Sequence, residues 1–217
     1  MTDSVFHNQY WKQYIMIEKE LKTSIKYVEI DESNFPTYSD VYAKLLLQIG
    51  SEVDVVAKLL CKELNSASSA GNILDYQSEI YAKFPEFGDV KVECNDIELI
   101  PWDGLATTSP VWWKVYNGVK HNRNVIATYG SETKENYKFA NQENVLNAIA
   151  GLYQLEQYLY AVIPHSQQQE ETPLPGSRLF KLGNQGWENK HFGQDSLFFV
   201  KEGRLYHLYA GTAYSDI

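Results

Sequence analysis

Hydrophobic positions recur along most of the chain at steps of three and four, the period of a helix with one buried face. Between Ser4 and Glu29 the apolar set is Phe6, Tyr10, Trp11, Tyr14, Ile17, Leu21, Ile25 and Val28, which predicts a first helix. The polar run DESNFPTYS follows, and Ser39 before Asp40 offers an N-cap with an acid in the first turn. From Asp40 to Asn65, Tyr42, Leu46, Ile49, Val53, Val56 and Leu60 form a seam of alternating fours and threes. Leu45, Leu47, Val55 and Leu59 lie off that seam, so this second helix is expected to be central and to touch several neighbours. Asn72 can cap a third helix, Ile73 to Lys83, stopped by Phe84-Pro85. A period near two over Asp89 to Leu99, with Asn95-Asp96 at its middle, predicts a small hairpin. Ser109 as cap and Pro110 in the first turn open a helix that runs to about Asn124. The polar stretch GSETKENYK reads as a connection, and Ala140 to Ile163 as a last long helix closed by Pro164.

Beyond Pro164 the pattern changes. HSQQQEETPLPGS has the composition of a solvated linker. Leu179 to Leu182 is a strand candidate, and SLFFVKEGRLYHLYAG reads as two β segments around Lys201-Glu202-Gly203. The expected architecture is mainly α: an up-and-down bundle of four to five helices over residues 1–163, with a small β hairpin insertion near 89–100. A linker at 164–178 then leads to a short β-rich C-terminal appendage over 179–217, packed on the body or serving as a dimer arm. The elements do not alternate as a βαβ fold requires.

Composition narrows the functional classes. With 28 acids against 19 bases and a net charge of -9, broad attraction to nucleic acid or an anionic membrane is disfavoured, which leaves room only for a local basic site. No segment approaches the roughly 18 apolar residues of a membrane span and no leader pattern opens the chain, so a cytoplasmic protein is expected. Cys61 and Cys94 have no metal-type spacing, and Cys61 sits in an apolar helical pattern, as a buried inert thiol does. The histidines at 7, 121, 165, 191 and 207 show no metal-binding spacing, and there is no phosphate-cradling glycine loop and no GxSxG. No metal and no cofactor are expected.

Chemistry concentrates in one stretch, SPVWWKVYNGVKHNRN at 109–124. On a helix Lys114, Asn117, His121 and Asn124 share a face, with Trp113 and Val125 along it, while Trp112, Val115, Tyr116, Val119 and Ile126 fall opposite. A histidine can act as general base or acid near neutral pH, a lysine can stabilise charge developing on a phosphate, and an asparagine can orient either. This is the equipment for metal-independent RNA cleavage, in which the 2′-hydroxyl attacks the adjacent phosphorus. Lys120 and Arg123 add cations for RNA binding. On the second helix Glu52 and Asp54 stand out against an apolar background, where a carboxylate needs a partner or a polar site to face. Lys58 lies four residues after Asp54, so the two can form a local pair, or the carboxylates can support His121.

These residues resemble the HEPN superfamily (higher eukaryotes and prokaryotes nucleotide-binding domain), helical proteins common among prokaryotic toxins and antiphage systems. Lys114-x6-His121 is similar to the family's Arg-spacer-His motif, with Lys in place of Arg, and Asp54-x3-Lys58 looks like its accessory acid-x3-Lys. The resemblance spans roughly residues 1 to 163. It implies a homodimer whose two motif helices meet in one cleft, with Trp113 and Val125 at the interface. It also implies an RNA substrate, and an antitoxin or other defence partner. In that picture His121, Lys114 and Asn117 are catalytic, with Glu52, Asp54 and Lys58 behind them. The alternative reading is a non-catalytic helical dimerisation or binding module.

Overall fold

A computed structural model describes residues 1–164 and 173–183, together with the backbone of three short strands beyond them. The chain enters through α1 (Asp3–Val5), a π-helical stretch Phe6–Trp11 and α2 (Lys12–Ser24). An i→i+5 ladder brings residues five apart onto one side. Phe6 and Trp11 are accordingly both buried, their rings stacked 6.4 Å apart. Helix α2 stops five residues short of the expected Glu29, where Thr23 Oγ1 and Ser24 Oγ donate to the carbonyls of Lys19 and Leu21.

Helices α3 (Asp40–Leu64) and α4 (Ile73–Lys83) begin where their caps place them. Ser39 Oγ accepts from the Tyr42 amide at 3.1 Å, and Asn72 Oδ1 from the Leu74 amide at 3.0 Å. Helix α5 (Val111–His121) has Pro110 at its cap position with no side-chain cap, so Ser109 does not play the expected role. Helix α6 (Gln142–Val162) is capped by Asn141, and nearly every side chain from Asn144 to Tyr160 is buried. It lies against α2, α3, α5 and the π-helical stretch, and α3 in turn touches α2, α4, α5 and α6, so the second helix contacts several neighbours as expected and α6 is its most deeply buried partner. Small residues permit this. A Cβ on Gly151 would stand 3.2 Å from Trp112 and 3.4 Å from Trp102.

The mainly helical class is as expected, whereas the strict up-and-down order is not. Gln142 Nε2 donates to Tyr42 Oη at 3.2 Å where α6 and α3 begin. At the far end the Met1 amino group reaches Glu63 at 2.6 Å and Phe6 meets Tyr160 at 5.2 Å. The second and fifth helices of the order therefore run in the same direction, where alternation would oppose them. The excursion between α4 and α5 resets the direction.

That excursion holds the expected hairpin, β1 (Val92–Cys94) and β2 (Ile97–Leu99), with Asn95 at φ 54° in its turn. Asparagine tolerates this left-handed value better than most residues. A second hairpin, β3 (Ile126–Tyr129) and β4 (Glu132–Glu135), places its turn and second strand in what reads in sequence as a polar connection. Gly130 at φ 59° begins its two-residue turn.

Strand β5 (Phe180–Leu182) pairs with β1, giving the sheet order β2-β1-β5. Residues 173–178 of the expected linker are thus held against the helical body, and β5 falls within the expected strand Leu179 to Leu182. Buried Glu18 holds them: it accepts from the backbone amides of Arg178 and Leu179 at 3.0 Å each and from the Ser177 and Tyr14 hydroxyls. Trp11 Nε1 donates to Pro175 O at 2.9 Å. Residues 165–172 of the expected linker and 184–196 of the expected appendage lie outside the described residues. Further on, β6 (Leu197–Lys201), β7 (Arg204–Leu208) and β8 (Ser215–Asp216) form an antiparallel sheet, while Glu202 and Gly203 of the expected turn lie outside the described residues. Among the described residues no helix is long and apolar enough to cross a membrane.

Candidate functional site

The outward face of α5 is fixed by what holds its back. Trp112, Val115, Tyr116 and Val119 are buried. On one side α3 approaches so closely that a Cβ on Gly50 would stand 2.4 Å from the Tyr116 ring. On the other, buried Asn136 reaches across to the helix end: its Nδ2 donates to Asn122 O at 2.8 Å, and its Oδ1 accepts from the Tyr129 hydroxyl at 3.0 Å. Gly118 makes that approach possible, since a Cβ there would lie 2.4 Å from Asn136 Oδ1 and 2.8 Å from Tyr129 Oη. The backbone continues the clamp, with the Asn136 amide donating to Val125 O and the Tyr137 amide to Arg123 O, both at 2.9 Å.

With its back held, α5 turns Lys114, Lys120 and His121 to solvent, and exposed Arg123 follows at its C-terminal end. None of the four has an ion pair with a carboxylate among the described residues. Lys120 Nζ lies 5.4 Å from the Tyr116 ring centroid, and Arg123 Nε donates to Val119 O at 3.4 Å. Lys120 and His121 occupy the last turn, where a cation complements the helix dipole.

Three expected roles change. Asn117 is half-buried and its Nδ2 donates to Trp113 O at 2.9 Å, so its amide is tied to its own helix instead of orienting His121. Trp113 is 9% exposed, set against Trp112 and Tyr116 at 5.7 and 5.2 Å, and so is covered within its own chain; Val125 remains exposed. Asp54 faces α4: it pairs with Lys58 at 2.5 Å and accepts from the Tyr76 hydroxyl at 2.6 Å. Among the described residues no hydrogen bond or ion pair joins Glu52, Asp54 or Lys58 to Lys114, Asn117 or His121. The local-pair reading of Asp54 and Lys58 therefore holds.

Glu52 points elsewhere, to a group the sequence reading passed over. Glu156 on α6 is 1% exposed and its Oε2 has no hydrogen-bond partner. Burial first, and the charge of Glu52 second, hold its carboxyl well above the usual carboxylate range; burial raises Glu52 as well. A carboxylate whose neighbours one helical turn away, Leu152, Tyr153, Leu159 and Tyr160, are hydrophobic was the available signal. Cys61 and Cys94 are fully buried, and burial is the main cause that pushes each thiol up to about 12, which removes both as nucleophiles near neutral pH. Comparison with protein-family models, with characterised proteins and with solved structures gives no match to this chain.

Proposed function

We propose that the outward face of α5 is an RNA-binding surface, and that the protein is a HEPN-like helical bundle acting as a homodimer in a toxin or antiphage context. The observation that carries the reading is a local one. In a chain of net charge -9, Lys114, Lys120 and Arg123 stand exposed around His121 without carboxylate partners among the described residues. Unpaired cations are what a phosphate backbone recruits, and the surrounding acidity confines binding to this strip.

Cleavage in this reading belongs to the dimer. One copy presents His121 and Lys114 to bulk water, so a second copy is needed to close a site from which water is excluded and in which a developing charge is stabilised. His121 then takes the proton of the 2′-hydroxyl or gives one to the leaving oxygen. The alternative, RNA or partner binding without cleavage, is favoured by Asn117, whose amide is already engaged with Trp113 O.

Binding of labelled single-stranded RNA across a salt series tests the surface. The triple variant Lys114→Gln/Lys120→Gln/Arg123→Gln is expected to bind at least about tenfold more weakly, with the slope of log K against log salt smaller by roughly 2, at about 0.7 per phosphate contact. Equal binding and equal slope would sink the surface. Incubation with RNA in EDTA separates the two readings: cleavage lost in His121→Ala supports the nuclease, and binding without cleavage supports the module.

A further inference from the structure

At the opposite end of α5 from His121, three separate elements enclose a cleft of about 420 Å³: the loop entering α5, the turn of the β3–β4 hairpin, and the start of α6. That volume falls in the range of small-molecule sites. Its polar lining includes Asn141 and Asn144, only 3% and 7% exposed. Asn144 Nδ2 donates to Phe139 O at 3.1 Å and to Asn141 Oδ1 at 2.9 Å, and the Asn144 amide donates to the same Oδ1 at 3.1 Å. Because Phe139 O can only accept and the backbone N–H can only donate, both side-chain amides have one possible orientation. Asn141 Nδ2 and Asn144 Oδ1 are left without a partner among the described residues, although each residue is more than nine-tenths buried. Neither atom is fully shut off from solvent, so both are open to the space that these residues line.

The rim of the cleft is anionic. Asp103, Glu132 and Glu143 are exposed along it. Glu132 is offset by Lys134 at 2.6 Å, and that same ammonium lies 4.5 Å from the Phe139 ring centroid. The wall thus already accepts a cation from the chain itself, over an aromatic ring and beside a carboxylate. Among the described residues Asp103 and Glu143 have no ion pair, which leaves two unpaired carboxylates on the rim of a cleft that Trp112, Tyr129 and Phe139 also line.

We propose that this cleft binds a small planar organic cation of the amidinium or guanidinium type, independently of the RNA reading for the other end of α5. A planar fork of N–H donors matches a carboxylate in two parallel bonds, and its flat face suits an aromatic wall. The free Asn144 Oδ1 accepts a further N–H, and Asn141 Nδ2 donates to an acceptor elsewhere on the ligand or to water. Phosphates and carboxylic acids are excluded by the rim.

Benzamidine, neutral benzamide and anionic benzoate are close in shape and differ in charge, so calorimetric titration of the full chain at low ionic strength reads the claim directly. Benzamidine is expected to bind at least about tenfold tighter than benzamide, with no heat from benzoate. The double variant Asp103→Asn/Glu143→Gln is expected to lose that tenfold advantage, and because both side chains are exposed, an unchanged thermal melt establishes that the fold is intact. Equal binding of benzamidine and benzamide, equal binding of benzamidine by the double variant, or no heat from benzamidine would each overturn the proposal.

Discussion

Helices α5 and α6 lie side by side and dispose of their unpaired ionisable groups in opposite ways. On α5 they face water: Lys114, Lys120 and His121 are exposed, remain hydrated, and stay available to a ligand. On α6, apart from Glu143 exposed in its first turn, the group is inside: Glu156 is 1% exposed, and burial has moved its proton equilibrium instead of finding it a partner. An unpaired charge at a surface costs the fold little, whereas one in a core must be neutralised. The contrast says where to look for function on this molecule: on α5, whose polar strip exacts no stability penalty that would explain it, and with Glu156 as the candidate for strain.

The largest test strikes the clamp that creates the difference. Gly118→Ala would normally favour a helix by about 1 kcal/mol. Here the new Cβ would stand 2.4 Å from Asn136 Oδ1, and Asn136 is buried and bonded to Asn122 O and Tyr129. Displacing it strands buried polar atoms, so a net loss of about 2–4 kcal/mol is expected in chemical denaturation. A stabilised variant would mean that the approach of the hairpin to α5 is looser than these distances require.

Next comes the core carboxyl. Because Glu156 keeps its proton in the folded state while an unfolded glutamate releases it above about pH 4.3, stability falls as pH rises from there toward the folded pKa. Glu156→Gln keeps the shape and removes that loss. The two proteins should unfold alike at pH 4, and at pH 8 the variant should be more stable by on the order of 1–3 kcal/mol. A gap of the same size at both pH values would show that the carboxyl does not titrate in this way.

These two tests also mark what the chain discloses before it folds. The starts of α3 and α4 were legible because Ser39 and Asn72 are local signals that need no tertiary partner, and so was the β1–β2 hairpin with its Asn95 turn. The β3–β4 hairpin was not, since β4 carries Glu132, Thr133, Lys134 and Glu135 and lacks an apolar face to alternate. The Glu18 clamp was equally hidden, joining positions some 160 apart in sequence. The same limit governed the site. Periodicity put Lys114 and His121 on one exposed face, but it cannot tell which way a neighbouring helix turns its acids, and so it left Asp54 and Glu52 open between α5, α4 and α6.

Asp54→Asn tests that point with a smaller effect. Its partners are Lys58, itself 44% exposed, and the Tyr76 hydroxyl, so the change should cost about 1 kcal/mol. Because none of these groups bonds to the α5 strip, RNA affinity should not move. A drop in affinity as large as that of Lys114→Gln would return Asp54 to the site.

The smallest effect on stability is the most informative about function. His121 is exposed and makes no hydrogen bond or ion pair with the described residues, so His121→Gln should leave the denaturation midpoint where it is. Glutamine also retains hydrogen-bonding capacity but cannot exchange a proton near neutral pH, which separates contact from catalysis. If His121 is a general base or acid, RNA affinity is kept and EDTA-resistant cleavage disappears. If it is only one more contact, affinity falls slightly and any cleavage persists. Mixed dimers sharpen the result further. When each site draws on both copies, chains of His121→Gln titrated into the parent protein suppress cleavage in proportion to the heterodimers formed. An outward strip that works one copy at a time gives a straight-line dilution instead, and that line would remove the dimeric cleft from the reading of α5.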